Sequence, residues 1–157
     1  MNEKNQENFE LVSWDNKYAT GIELVDTQHK QLFDLTNELF EACHAKEFEL
    51  LNKFEETLHQ MVKYVKIHFE AEQKILKAIN YPDLHEHIKQ HDILIKDILA
   101  AVKDYKEDKK LVPNHFVRTL KDWIFGHIGF YDKQYSIYAQ EQIKKGVLTK
   151  ETLKEIQ

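Results

Sequence analysis

The stretch "MVKYVKIHFEAEQKIL", residues 61–76, reads as a helix whose apolar side carries charge. Met61, Val62, Val65, Phe69 and Leu76 recur at three-four spacing, the period of a helix with one face turned to a core. His68 and Glu72 fall on that same stripe. Being four apart, they are neighbours on the helix surface. The stripe runs from Leu58 to Ile79, within a helix expected to start near Phe48 or Leu51. "NYPD" then ends it, because Pro82 disfavours helical backbone at Tyr81.

The same pattern returns on either side. After Asp26 or Thr27, either of which suits a helix cap, come His29, Leu32, Phe33, Thr36, Leu39, Phe40 and Cys43. A third helix is expected over residues 83–106, with Leu84, His87, Ile88, His91, Leu94, Ile95, Ile98, Val102 and Tyr105 inward. The loop "KEDKKLVPN" ends at Pro113, a good helix-entry residue. Beyond it Phe116, Leu120, Trp123, Ile124, His127, Ile128, Tyr131 and Tyr135 form a fourth stripe. Four long amphipathic helices with short loops point to an all-α, up-and-down four-helix bundle. We expect a polar tail over residues 1–8, a bundle domain over residues 9–140 that opens with an ordered N-terminal arm, and a short C-terminal helical extension over residues 141–157. The added helix would be capped by Thr149.

Composition narrows the class. The 157 residues suit one domain, and 42% hydrophobic with 31% charged residues is an ordinary soluble balance. A net charge of −5 argues against nucleic acid, whose phosphates require a basic surface. No apolar run reaches membrane-spanning length, and "MNEKNQENFE" has no secretory character. Cys43 is the only cysteine, which excludes an intrachain disulfide and favours a reducing compartment. A cytoplasmic location is the expectation.

Each helix thus offers histidine or carboxylate to a side it should keep apolar: His29, then His68 and Glu72, then His87 and His91, then His127 with Asp132 just beyond. A lone core histidine is ordinarily satisfied by hydrogen bonds. Five imidazoles and two carboxylates converging from four helices demand more, since a buried carboxylate must neutralise or lose several kcal/mol of solvation. A bound cation answers for all seven. Imidazole and carboxylate without thiolate suit Fe, Zn, Mn, Ni or Cu. Seven ligands exceed one tetrahedral zinc. Two six-coordinate ions sharing both carboxylates would use them, three histidines on one and two on the other, leaving a vacant position. Such a site also keeps its formal charge on two-electron transfer to dioxygen, if a bridging hydroxide passes its proton to the product. That suits a reversible carrier or sensor. His44, His59, His85 and His115 lie off the inward positions and read as surface residues.

Taken together, "W…G…VDTQH" (Trp14, Gly21, Asp26, Gln28, His29), "HFEAE" (His68, Phe69, Glu72), "YPDLHEHIKQH" (His87, His91) and "HIGFYDKQY" (His127, Asp132) resemble the hemerythrin family, bacterial hemerythrins in particular, from about Phe9 to Tyr138. The resemblance implies a non-haem, oxo- or hydroxo-bridged di-iron centre of two iron ions. His87, His91 and His127 would hold the saturated iron, His29 and His68 the open one, and Glu72 and Asp132 would bridge. It implies reversible dioxygen binding, as hydroperoxide at the open iron, for storage, delivery or sensing rather than enzymatic turnover. A di-iron oxidoreductase acting on peroxide, nitric oxide or oxygen is the alternative. No protein partner is implied.

Helix spacing suggests an oxygen-pocket wall of Leu32, Phe69, Trp123 and Ile128, which would exclude water. Where many bacterial members have Glu-x-x-Met after the glutamate ligand, this chain has Gln73 and Leu76. Residues five apart on an ideal helix point about 140° apart, so His127 and Asp132 need a distortion to meet. We expect a π-bulge there, eased by Gly129.

Overall fold

A computed structural model describes residues 10–44, 47–107 and 112–156, without the side chains of residues 47–51, 105 and 112. The tail expected over residues 1–8, Phe9, the middle of the loop after the third helix and the Tyr105 side chain lie outside what is described. The elements are α1 (Glu23–Ala42), α2 (Glu47–Ala78), α3 (Leu84–Lys106), α4 (Val112–Gly126), a π-helical segment (His127–Asp132), α5 (Lys133–Lys144) and α6 (Lys150–Ile156). Helix α4, the π segment and α5 run on as one rod. Each long helix packs on the next and α1 also packs on α4, closing the up-and-down four-helix bundle. No helix among the described residues is long and apolar enough to cross a membrane.

The boundaries have local causes. Helix α2 ends with Asn80 in the left-handed region at φ 50°. Its N–H reaches Lys77 O, and Tyr81 N–H reaches Leu76 O, the paired bonds that close a helix before a proline. Gly146, at φ +73°, ends α5 in the same way. Thr149 Oγ1 accepts from Thr152 N and caps α6 as expected.

Helix α1 begins at Glu23, earlier than a cap at Asp26 or Thr27 would put it. Asp26 lies inside the first turn. It accepts from Thr20 N and Thr20 Oγ1 at 2.7 and 2.8 Å and from Gly21 N at 3.1 Å. The carboxylate therefore folds the incoming arm back onto the helix, and its charge suits a helix N-terminus. Val62 and Ile95, expected inward, are 45% and 41% exposed. They stand at the edges of their stripes and line a groove of about 350 Å³ between α2 and α3, floored by Phe69 and His91.

The core has two parts. One gathers Leu32, Phe33, Leu58, Val65, Phe69, Leu94, Leu120, Ile124 and Ile128, joined by Val12 and Tyr18 of the arm. The other gathers Ile22, Val25, Ile75, Leu76, Ile79, Tyr135 and Ala139 with Leu148, and α6 leans Leu153 and Ile156 on it. The histidine and carboxylate positions fall at the junction of the two, with Phe69 and Ile128 of the first core standing next to His68 and His127.

The arm is held by Asn37 of α1, whose side-chain oxygen accepts from Leu11 N and Val12 N at 2.9 and 3.0 Å while its amide donates to Val12 O at 2.8 Å. Replacing Asn37 with Ala removes all three bonds. We expect a loss of about 2 kcal/mol in urea unfolding, with faster amide exchange at Leu11 and Val12; unchanged exchange would mean that Val12 and Tyr18 alone secure the arm.

Candidate metal centre

All seven predicted side chains meet in the layer between the cores, each 0–2% exposed. His29 comes from α1, His68 and Glu72 from α2, His87 and His91 from α3, and His127 and Asp132 from the two ends of the π segment. That segment replaces the regular helix ladder and adds in effect one residue to the turn. Positions five apart then behave as positions four apart do in an α-helix. The expected distortion is therefore present. Gly129 lies within it, but a Cβ there would meet only the Tyr18 ring at 3.5 Å, an ordinary contact. Glycine loosens the ladder by its low helix propensity and is not needed to make room.

The five imidazoles all turn Nε2 toward the carboxylates. Glu72 Oε2 lies 3.1 Å from His91, 3.4 Å from His87 and 3.5 Å from His68. Asp132 spans the cluster: Oδ1 is 2.9 Å from His127 and 3.5 Å from His87, and Oδ2 is 2.9 Å from His29. Two sets of four emerge, Glu72 with His87, His91 and His127, and Glu72 and Asp132 with His29 and His68. The three-and-two division of imidazoles thus appears in the geometry, with Glu72 in both sets.

The donor set fits cations. Among the described residues, His29 Nε2, His68 Nε2 and both Asp132 oxygens are buried with no well-aligned hydrogen bond, although His29 and His127 each bring Nε2 to 2.9 Å from Asp132. Two Nε2 atoms, of His91 and His127, face each other at 3.1 Å. Lone pairs converging on one spot, away from water, are what a cation satisfies.

Charge in the metal-free chain is balanced another way. Burial alone would raise both carboxyl groups, but the facing imidazoles, His68 foremost for Glu72 and His127 for Asp132, hold them below the ordinary carboxylate range. Burial disfavours imidazolium at His29, His68, His87 and His91, and pushes His68 down to about 3 and His91 down as well. At His29 the Asp132 carboxylate outweighs burial, and at His87 the Glu72 carboxylate does; both are raised above 6.5. A proton on either ring would supply the positive charge that a cation brings.

Two supporting roles escaped the sequence reading. Gln28, quoted there only within the "VDTQH" motif, is buried and its Oε1 accepts from His68 Nδ1 at 3.0 Å, which fixes the tautomer that leaves Nε2 free to ligate. Tyr135, recognised only as an inward residue, donates its phenol hydrogen to Glu72 Oε1 at 2.6 Å. Two rings are clamped by stacking, His91 on Phe69 at 3.6 Å and 5°, His127 on Trp123 at 4.6 Å and 9°. Leu32, Phe69 and Ile128 belong to the first core, with Trp123 packed against it. His44, His59, His85 and His115 are exposed.

Raised affinity of His29 and His87 for protons sets protons against cations for the same nitrogens. Affinity for Zn²⁺ should therefore be higher at about pH 8 than at about pH 6, and calorimetry in buffers of different ionisation enthalpy should show proton release that fades as pH rises past the raised values. A pH-independent affinity would show both rings already neutral.

Comparison with known proteins identifies the family. The family described as "Hemerythrin HHE cation binding domain" matches residues 20–136. The bacteriohemerythrin of Methylococcus capsulatus is 27% identical over 126 residues, covering 80% of this chain and 94% of that protein. A hemerythrin-like protein of Naegleria gruberi is 26% identical, covering 78% of this chain and 89% of its own length. The crystal structure of a wild-type hemerythrin superposes with a TM-score of 0.73 at 26% identity, over 80% of this chain and 95% of that one. A match that begins before the first candidate ligand and ends beyond the last makes the chain a member of the hemerythrin family.

Proposed function

We propose that the chain binds dioxygen reversibly at a pair of iron ions, for storage, delivery or sensing. His87, His91 and His127 hold one ion, His29 and His68 the other, and Glu72 and Asp132 bridge them. The observation that carries this reading is the grouping of three imidazoles and two around the shared Glu72 carboxylate, with Asp132 beside the pair. The ion held by only two imidazoles would be the one with room for dioxygen. When bound, an iron pair supplies reversible two-electron transfer to dioxygen.

The chain's own residues determine how that chemistry is contained. Gln28 keeps His68 in the ligating tautomer. Stacking against Phe69 and Trp123 prevents His91 and His127 from turning. Leu32, Phe69, Trp123 and Ile128 exclude water, which would otherwise carry protons in and speed irreversible oxidation. Five neutral imidazoles with only two carboxylates disfavour high-valent iron, which anionic donors stabilise. Carriage is therefore favoured over oxygen activation.

The test is anaerobic iron loading, aeration and deoxygenation, followed by optical spectroscopy and metal analysis. Two irons per chain and a charge-transfer band that disappears with oxygen are expected; irreversible oxidation with peroxide turnover would overturn carriage in favour of an oxidoreductase. Within "HEHIKQH", replacement of exposed His85 with Ala should leave iron content unchanged. His87→Ala or His91→Ala should cost about one iron per chain. Equal effects from all three would break the ligand assignment.

A further inference from the structure

One polar contact to the shared carboxylates comes from a side chain that holds no cation in this reading. Tyr135 stands three residues beyond Asp132, near the start of α5, and is wholly buried. Its hydroxyl lies 2.6 Å from Glu72 Oε1, the length of a charge-assisted bond from a hydroxyl to a carboxylate. The ring has little freedom. It meets the His87 ring edge-on at 5.3 Å and 82°, and the Tyr81 ring at 6.3 Å and 71°. The two oxygens of Glu72 are thereby made different: Oε1 takes the phenol hydrogen, while Oε2 faces His68, His87 and His91.

We propose that Tyr135 is a positioning residue for Glu72, whose hydroxyl orients the shared carboxylate across the centre and weakens its electron donation to the bound cations. The inference rests on the cation-pair reading and extends it to the control of redox poise. A carboxylate oxygen that shares its density with an O–H is a poorer donor to metal, and a poorer anionic donor favours the lower oxidation state. The rod that supplies Asp132 through its π turn supplies, one turn later, the group that disciplines the other shared carboxylate on α2.

The experiment is Tyr135→Phe, which keeps the ring and removes one oxygen. Zinc, being redox-inert, reports on geometry; the midpoint potential of the iron-loaded chain reports on donation. The variant should take up as many zinc ions as the wild type with about 10-fold lower affinity, and its iron-loaded form should have a lower midpoint potential. A merely structural tyrosine would leave that potential where it was. Unchanged zinc affinity and potential in the variant, beside normal uptake by the wild type, would overturn the Tyr135 assignment alone. Failure of the wild type to bind zinc or iron would overturn the cation reading and this inference with it. If the variant does not fold, the wild type decides: the zinc-loaded chain should show a slowly exchanging, downfield Tyr135 hydroxyl proton by NMR, and its absence would overturn the assignment.

Discussion

Two carboxylates at zero exposure in the middle of a helical bundle can remain ionised only if positive charge is brought to them. Most of this molecule follows from that requirement. Five imidazoles are drawn to Glu72 and Asp132 from all four long helices, and at His29 and His87 the carboxylates favour the charged ring. The helix carrying Asp132 gives up its regular hydrogen-bond ladder so that both ends of the π segment face inward. Without the carboxylates, the same helices would present a more ordinary apolar interior.

Bringing charge inward has been kept local. Aromatic rings stack against His91 and His127, and single hydrogen bonds from outside the cluster reach His68 and Glu72. These contacts fix rotation and tautomer at atoms that have no freedom to be wrong. The arm contributes from a further distance: Trp14 sits 6.4 Å from His29, and Tyr18 packs on Phe33. The physics of buried charge accounts for why the parts of the constellation must arrive together.

The bundle and all seven central side chains were legible in the sequence because helix period alone decides which residues share a face. His68 and Glu72 announced themselves by interrupting an apolar stripe, and the awkward spacing of His127 and Asp132 announced the π turn. What stayed hidden depends on partners far along the chain. Gln28 meets His68 across 40 residues and Tyr135 meets Glu72 across 63, and no periodicity encodes either pairing. Asp26 carried the marks of a helix cap, yet its bonds run backward to Thr20 and Gly21. Val62 and Ile95 looked inward because they border a stripe; their exposure depends on how closely α2 and α3 approach, which spacing within one helix does not determine.

The polar layer has one further consequence. It crosses the whole section of the bundle, so the apolar interior is two hydrophobic cores strung on common helices rather than one continuous core. Between them stand the polar layer and the arm, whose Ala19 and Thr20 carbonyls accept from Lys133 and Gln140 of α5. Charge at the centre therefore weighs on both cores at once, and a change of charge there is felt along the full length of the bundle.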